Sequence, residues 1–224
     1  MEEIIKRAIS RKQRALSEYE SKLLVGSAGV PVTREKLAAT RDEAVRIAGE
    51  IGFPVALKGC SHMLTHKTER GVVHLNLKTA DEVARSFDAV MKAADEIDGV
   101  LVQEMVKGER ELVIGMTRDP QFGPCVMFGL GGIFTEVLRD VSFRIAPLTM
   151  DDAGEMMEEI KARELLDEFR GSPAVDRDLL MRSLVGIGSL GMKYDEIAEI
   201  DINPLIITGS RPVAVDALVV LRAE

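Results

Sequence analysis

The chain has 224 residues, 46% of them apolar and 29% charged, and 37 Asp and Glu against 29 Lys and Arg give a net charge of -8. That composition belongs to a globular protein long enough to bury a core, while the acidic balance, the lack of tryptophan and only two tyrosines argue against a basic, base-stacking nucleic-acid surface. Two cysteines, Cys60 and Cys125, are too few for a disulfide framework and have no zinc-like spacing. There is no uncharged apolar run of about 18 residues and no signal-peptide pattern at Met1-Glu-Glu-Ile-Ile-Lys-Arg, so no membrane partner and a cytoplasmic location are expected.

The first thirty residues read as helix, with Leu16, Tyr19, Leu23 and Leu24 along one face until Gly26 and Gly29-Val-Pro stop it. Thr40 with Glu43 predicts a capping box for a helix whose stripe is Ala44, Ile47, Ala48 and Ile51. Gly52-Phe-Pro releases the chain into a buried strand, Val55 to Lys58, and a polar loop, Ser61 to Arg70, precedes an alternating strand, Val73 to Leu77. Thr79 and Glu82 predict a second capping box, for a helix reaching about Ile97. Strands follow at Val100–Val106, Glu111–Met116 and Pro124–Phe128, the last two joined by turn chemistry at Arg118-Asp-Pro-Gln-Phe-Gly123. After Gly129-Leu-Gly-Gly132 comes a strand-like stretch, then an acidic helix opened by Thr149, a helix over about Asp176 to Met192, and closing strands. Helices and strands alternate without a linker or repeat, which predicts an α+β chain with a large antiparallel component, in two subdomains dividing near residue 100.

Several positions can carry chemistry. Glu199-Ile-Asp-Ile-Asn-Pro and Val213-Ala-Val-Asp place Asp201, Asn203 and Asp216 on neighbouring β segments, and such hard oxygen donors suit Mg²⁺ together with substrate phosphates. Turn formation by Asn-Pro and strand capping by Asp explain the same residue types. Lys58 ends an apolar strand, where its ammonium either meets a phosphate or snorkels to water. At the strand-to-loop connection Glu104, Met105 and Val106 can read an adenine edge or simply end a strand. Gly129, Gly131 and Gly132 allow close approach of backbone to phosphate, or a tight turn, and lack the ending of a Walker loop. Arg144, a candidate catalytic residue, lies among Val141, Phe143 and Ile145 and needs an anion, with Glu136 the nearest carboxylate, either as that partner or as a metal ligand. His66, on a polar loop, can attack phosphorus if a carboxylate holds its other ring nitrogen.

Together Leu16-Ser-Glu-Tyr-Glu-Ser-Lys22, Phe53 to Lys58, His66-Lys-Thr-Glu69, Leu101 to Val106, Arg118 to Pro124, Val126 to Phe134, Asp140 to Leu148, Glu199 to Pro204 and Val213 to Asp216 resemble the ATP-grasp β subunit of ADP-forming acyl-CoA synthetases. The resemblance spans residues 1–224 as one ATP-grasp domain, with subdomains over approximately 20–100 and 101–224 and nucleotide between them. It implies Mg²⁺ and ATP or ADP as cofactors, a separate CoA-binding α subunit in a hetero-oligomer, and acyl-CoA + ADP + phosphate giving acid + CoA + ATP. It further implies that Lys58 contacts phosphates, that Glu104 and Val106 bind adenine, and that Asn203 with Asp216 ligates Mg²⁺. His66 then relays a phosphoryl group received from the α subunit, and Asp201 orients it. Where the family usually has two glycines after the histidine loop this chain reads Gly71-Val72, and a β-branched residue narrows the backbone there. Another ATP-grasp carboxylate ligase and a non-catalytic nucleotide-binding module are the alternative readings.

Overall fold

The computed structural model describes residues 1–63, 71–93, 95–132, 140–168 and 171–222, and all elements and contacts below are drawn from these. In chain order the first half forms α1 (Glu2–Ser10), α2 (Glu18–Ser27), β1 (Glu35–Ala38), α3 (Arg41–Ile51), β2 (Val55–Cys60), β3 (Val73–Leu77), α4 (Ala80–Ala93) and β4 (Gly99–Glu104). The second half forms β5 (Arg110–Asp119), β6 (Gly123–Leu130), β7 (Val141–Ile145), α5 (Met150–Glu159), α6 (Arg177–Lys193), β8 (Ile197–Thr208), β9 (Arg211–Ala214) and β10 (Leu218–Leu221). They group into a smaller unit, residues 15–19 and 33–105, and a larger one, residues 1–14, 20–32 and 106–224.

The smaller unit is a four-stranded antiparallel sheet in the order β1-β4-β2-β3. Its core joins the α3 stripe (Ala44, Ile47, Ala48) and the α4 stripe (Val83, Phe87, Val90) to Val55, Leu57, Val100 and Val102. Each large apolar side chain so buried contributes about 1.5–3 kcal/mol of transfer free energy. Thr40 accepts from the Glu43 amide, but the Glu43 carboxylate reaches one residue beyond the expected box, to the Ala39 amide. Thr79 and Glu82 repeat this pattern, with the carboxylate on the Lys78 amide. Val72, the residue at the usual glycine position, is a fully buried member of this core, and the backbone freedom is kept by Gly71 at φ 68°.

The larger unit is a six-stranded antiparallel sheet in the order β10-β8-β5-β6-β7, with β9 also paired to β8. α5 and α6 pack on one face. Met116, Ile114, Val126, Phe128, Ile200 and Ile202 are buried there, and the alternate residues point to the other face. Two arginines pin the connections. Buried Arg110 donates to the carbonyls of Leu165, Asp167, Pro173 and Gly209 at 2.7–3.2 Å, and Arg118 donates to those of Gly191, Tyr194 and Ile197 at 2.6–2.9 Å.

Two expectations are corrected and one strand is added. The N-terminal stretch is two helices, not one, because the chain leaves α1 at Arg11 and takes a positive φ of 54° at Lys12, and Gly26 lies within α2. The helix opened by Thr79 is described only to Ala93, short of Ile97. β1 has no counterpart in the sequence reading, since four edge residues whose exposed positions are the adjacent Lys36 and Leu37 carry no alternation to detect.

Candidate functional site

The long strand β8 is paired on one edge to β5 and on the other to β9 and then β10. Leu205 stands opposite Ala214 and Asp201 opposite Leu218, while the Val215 amide donates to the Pro204 carbonyl at 3.0 Å. Register is therefore continuous across the break between β9 and β10, and it sets Asn203 opposite Asp216. Asn203-Pro204 does not form the turn its residue types allow; it lies inside β8, beside a register shift against β5. Glu199, Asp201 and Asn203 alternate with buried Ile200 and Ile202 and so share the face opposite the helices, Glu199 and Asn203 being exposed.

Burial is the main cause that pushes the Asp201 carboxyl up to about 6, and the negative charges of Glu199 and Asp216 add to it. A concentration of acid without enough solvent is what a divalent cation relieves. The donors fit Mg²⁺ in kind: a carboxylate and an amide carbonyl in direct opposition, with phosphate and water left to complete an octahedron. Among the described residues no three His, Cys, Asp or Glu converge on a metal-binding point. Glu136, the third expected ligand, lies outside the described residues, as does His66.

The raised acid has a measurable consequence for the metal-free chain. Its folded pKa exceeds the unfolded one, so the stability it contributes is full below about pH 4 and is lost as pH rises through about 6. The shift corresponds to at most about 3 kcal/mol. Asn mimics the protonated acid, so denaturant unfolding of Asp201→Asn should match the parent at pH 4 and exceed it in stability at pH 7. An equal difference at the two pH values would refute the shift.

In the smaller unit β2 alternates Val55 and Leu57 into the helix-packed core with Ala56 and Lys58 onto the opposite face. Lys58 Nζ donates to Glu18 Oε1 at 2.7 Å, and the two side chains are 7% and 1% exposed. The ammonium therefore does not snorkel to water. At the end of β4, Glu104 accepts from the Arg34 amide at 2.8 Å on one carboxylate oxygen and from Arg34 Nε at 2.7 Å on the other. Both oxygens of that carboxylate are thus engaged by Arg34, and the following Met105 and Val106 are half-buried and outside regular structure.

The glycines have local explanations. A Cβ at Gly129 would sit 2.5 Å from the Asp140 carbonyl, and Gly131 sits equally tightly against Leu112 while its amide donates to the Glu111 carbonyl. Gly132 takes φ 66° beside the Glu111 carboxylate. Sheet packing thus accounts for Gly129 and Gly131, and the positive φ for Gly132. Arg144, expected among the catalytic residues, is not brought to the Asp201 face. It lies on the α5 side, donating to Glu159 at 2.6 Å and Glu155 at 3.1 Å, and these carboxylates hold its pKa up. Phe143 and Ile145, its apolar neighbours along the strand, are about half exposed on the opposite face. A surface depression of about 670 Å³ lined by residues including Met1, Ser27, Gly186 and Tyr194 contains none of the expected site residues.

Sequence reasoning missed Glu18 and Arg34. Each meets its partner across 40 and 70 residues of chain, and no local spacing signals such a pair.

Residues 7–221 match the ATP-grasp domain family. The β subunit of ADP-forming acetate–CoA ligase I of Pyrococcus furiosus is 43% identical, over 98% of this chain and 97% of that one. ADP-forming acetate–CoA ligase I of Archaeoglobus fulgidus is 40% identical over 100% of this chain but only 33% of its own length. Among solved structures, the dinucleotide-forming acetyl-coenzyme A synthetase 1 of Ca. Korarchaeum cryptofilum superposes with a TM-score of 0.94 at 43% identity, covering 98% and 99% of the two chains. The same protein is known with coenzyme A and Mg-AMPPCP, its phosphohistidine segment pointing towards the nucleotide site.

Proposed function

Because this chain belongs to the ATP-grasp family and, within it, to the β subunits of ADP-forming acetate–CoA ligases, we propose that it works with a CoA-binding α subunit as the nucleotide half of acyl-CoA + ADP + phosphate ⇌ acid + CoA + ATP. The observation that carries the reading is the register flanking them, which sets Asn203 on β8 opposite Asp216 in the neighbouring segment, with Asp201 on the same sheet face as Asn203. The much longer Archaeoglobus relative, of which this chain matches one third, supports a partner that supplies the rest.

In this reading Asn203 and Asp216 hold Mg²⁺, with Glu136 as a third candidate ligand, and the ion when bound neutralises phosphate charge. Lys58 contributes a point charge to the nucleotide phosphates. Backbone groups of Glu104 to Val106 read the adenine edge, with Glu104 fixed by Arg34. His66 accepts the phosphoryl group delivered by the α subunit on one ring nitrogen and passes it to the terminal phosphate oxygen of ADP. Asp201 is the carboxylate that the family resemblance assigns to orient the relay histidine. A cytoplasmic setting accompanies the family assignment.

The test is reconstitution. Purified chain, its cognate α subunit, Mg²⁺, ADP, phosphate and acetyl-CoA should yield ATP; no ATP from two folded subunits across several acyl-CoA substrates would remove the proposal.

A further inference from the structure

We propose that Glu18 is the positioning residue for Lys58, the side chain through which the nucleotide-binding lysine is held in place. The inference rests on the assignment of Lys58 to the nucleotide phosphates and deepens it. Glu18 lies in the first turn of α2 and Lys58 in the middle of β2, so both ends of the pair stand on regular structure. Their 2.7 Å contact is almost completely withdrawn from water.

Burial on that scale is not favoured by stability alone. Each charge loses several kcal/mol of hydration, and a well-packed apolar pair often serves a fold equally well. An ion pair at this position gives the site something an apolar pair cannot. Lysine is a compact charge on a stem of four flexible carbons, and without a partner it has no preferred direction in which to present its three donors. Glu18 takes one donor and thereby fixes the Nζ position. It also compensates the cation in the nucleotide-free chain, so that Lys58 can be buried before a phosphate arrives. Glu18 touches no substrate in this scheme; it acts through Lys58.

Positioning of a group that binds ground state and transition state alike appears in KM rather than kcat. In the two-subunit enzyme, Glu18→Gln should raise KM for ADP about tenfold or more with kcat little changed, the loss expected when one partner of a buried charge pair is removed. Glu18→Asp, which keeps the charge on a shorter stem, should recover part of the loss. Calorimetry of Mg-ADP binding to the full chain supplies the decisive comparison: Lys58→Met should weaken binding at least as much, and adding Glu18→Gln to it should change nothing further. If Lys58→Met binds Mg-ADP normally, the lysine assignment itself fails. If Lys58→Met is impaired while Glu18→Gln binds as the parent does, the lysine stands and the positioning role is overturned. Should Glu18→Gln not fold, Glu18→Asp decides, since an unchanged KM for ADP there overturns the proposal.

Discussion

Asp216→Ala is expected to lower Mg²⁺-dependent nucleotide affinity by on the order of 100-fold or more, since loss of even an outer-shell partner of a metal ligand costs about 10–100-fold. The fold should survive, because Asp216 lies in the short break between β9 and β10 and is only half-buried. Asn203→Ala should act in the same direction, and the double variant should lose little more than either single one, because the two residues serve one ion. Titration calorimetry with ADP, run with and without Mg²⁺, is the check. Affinity that falls equally in both series would assign Asp216 to the nucleotide or to the fold rather than to the metal, and unchanged affinity would return it to a strand-capping role.

His66→Ala should abolish phosphoryl transfer to ADP while leaving Mg-nucleotide binding close to that of the parent. Losing the only acceptor in a covalent relay removes the route rather than slowing it. Labelled phosphate offers the direct measurement: a phosphorylated α subunit mixed with this chain and ADP should give ATP with the parent and none with His66→Ala. Normal turnover by the substituted enzyme would exclude the relay and favour a ligase that forms acyl phosphate directly.

How much of this was legible in the sequence differs from element to element. α3 and α4 were readable because a capping threonine and a 3.6-residue stripe are local signals, and Ala44, Ile47 and Ala48 do face the core. Asp201, Asn203 and Asp216 were readable as a group because hairpin pairing follows chain order. What the sequence withheld was the register, and with it the fact that Asn203-Pro204 runs through a strand instead of turning. Arg144 shows the opposite failure. The sequence reading set Arg144 among Val141, Phe143 and Ile145 without saying which face of β7 is covered; in the structure Ser142 and Arg144 meet α5, while Phe143 and Ile145 face away. Among the described residues its carboxylates come from Glu155 and Glu159 on the next helix. The Glu18–Lys58 pair could not be read at all, because nothing local links a helix start to a strand 40 residues on.

The unbroken register along β8 has a further consequence for how this chain can vary. Leu205 with Ala214 and Asp201 with Leu218 lie on one count, so the three residues 215–217 between β9 and β10 occupy the space of three paired residues although they form no ladder. Deleting one residue between Arg211 and Val215 while β9 keeps its partners would set Ala217 opposite Asn203 and turn the Asp216 carboxylate to the other face. Segment length here is as restrictive as side-chain identity. A variant that keeps Asn203 and Asp216 but differs by one residue between them and their ladder has lost the pair as surely as a substitution would.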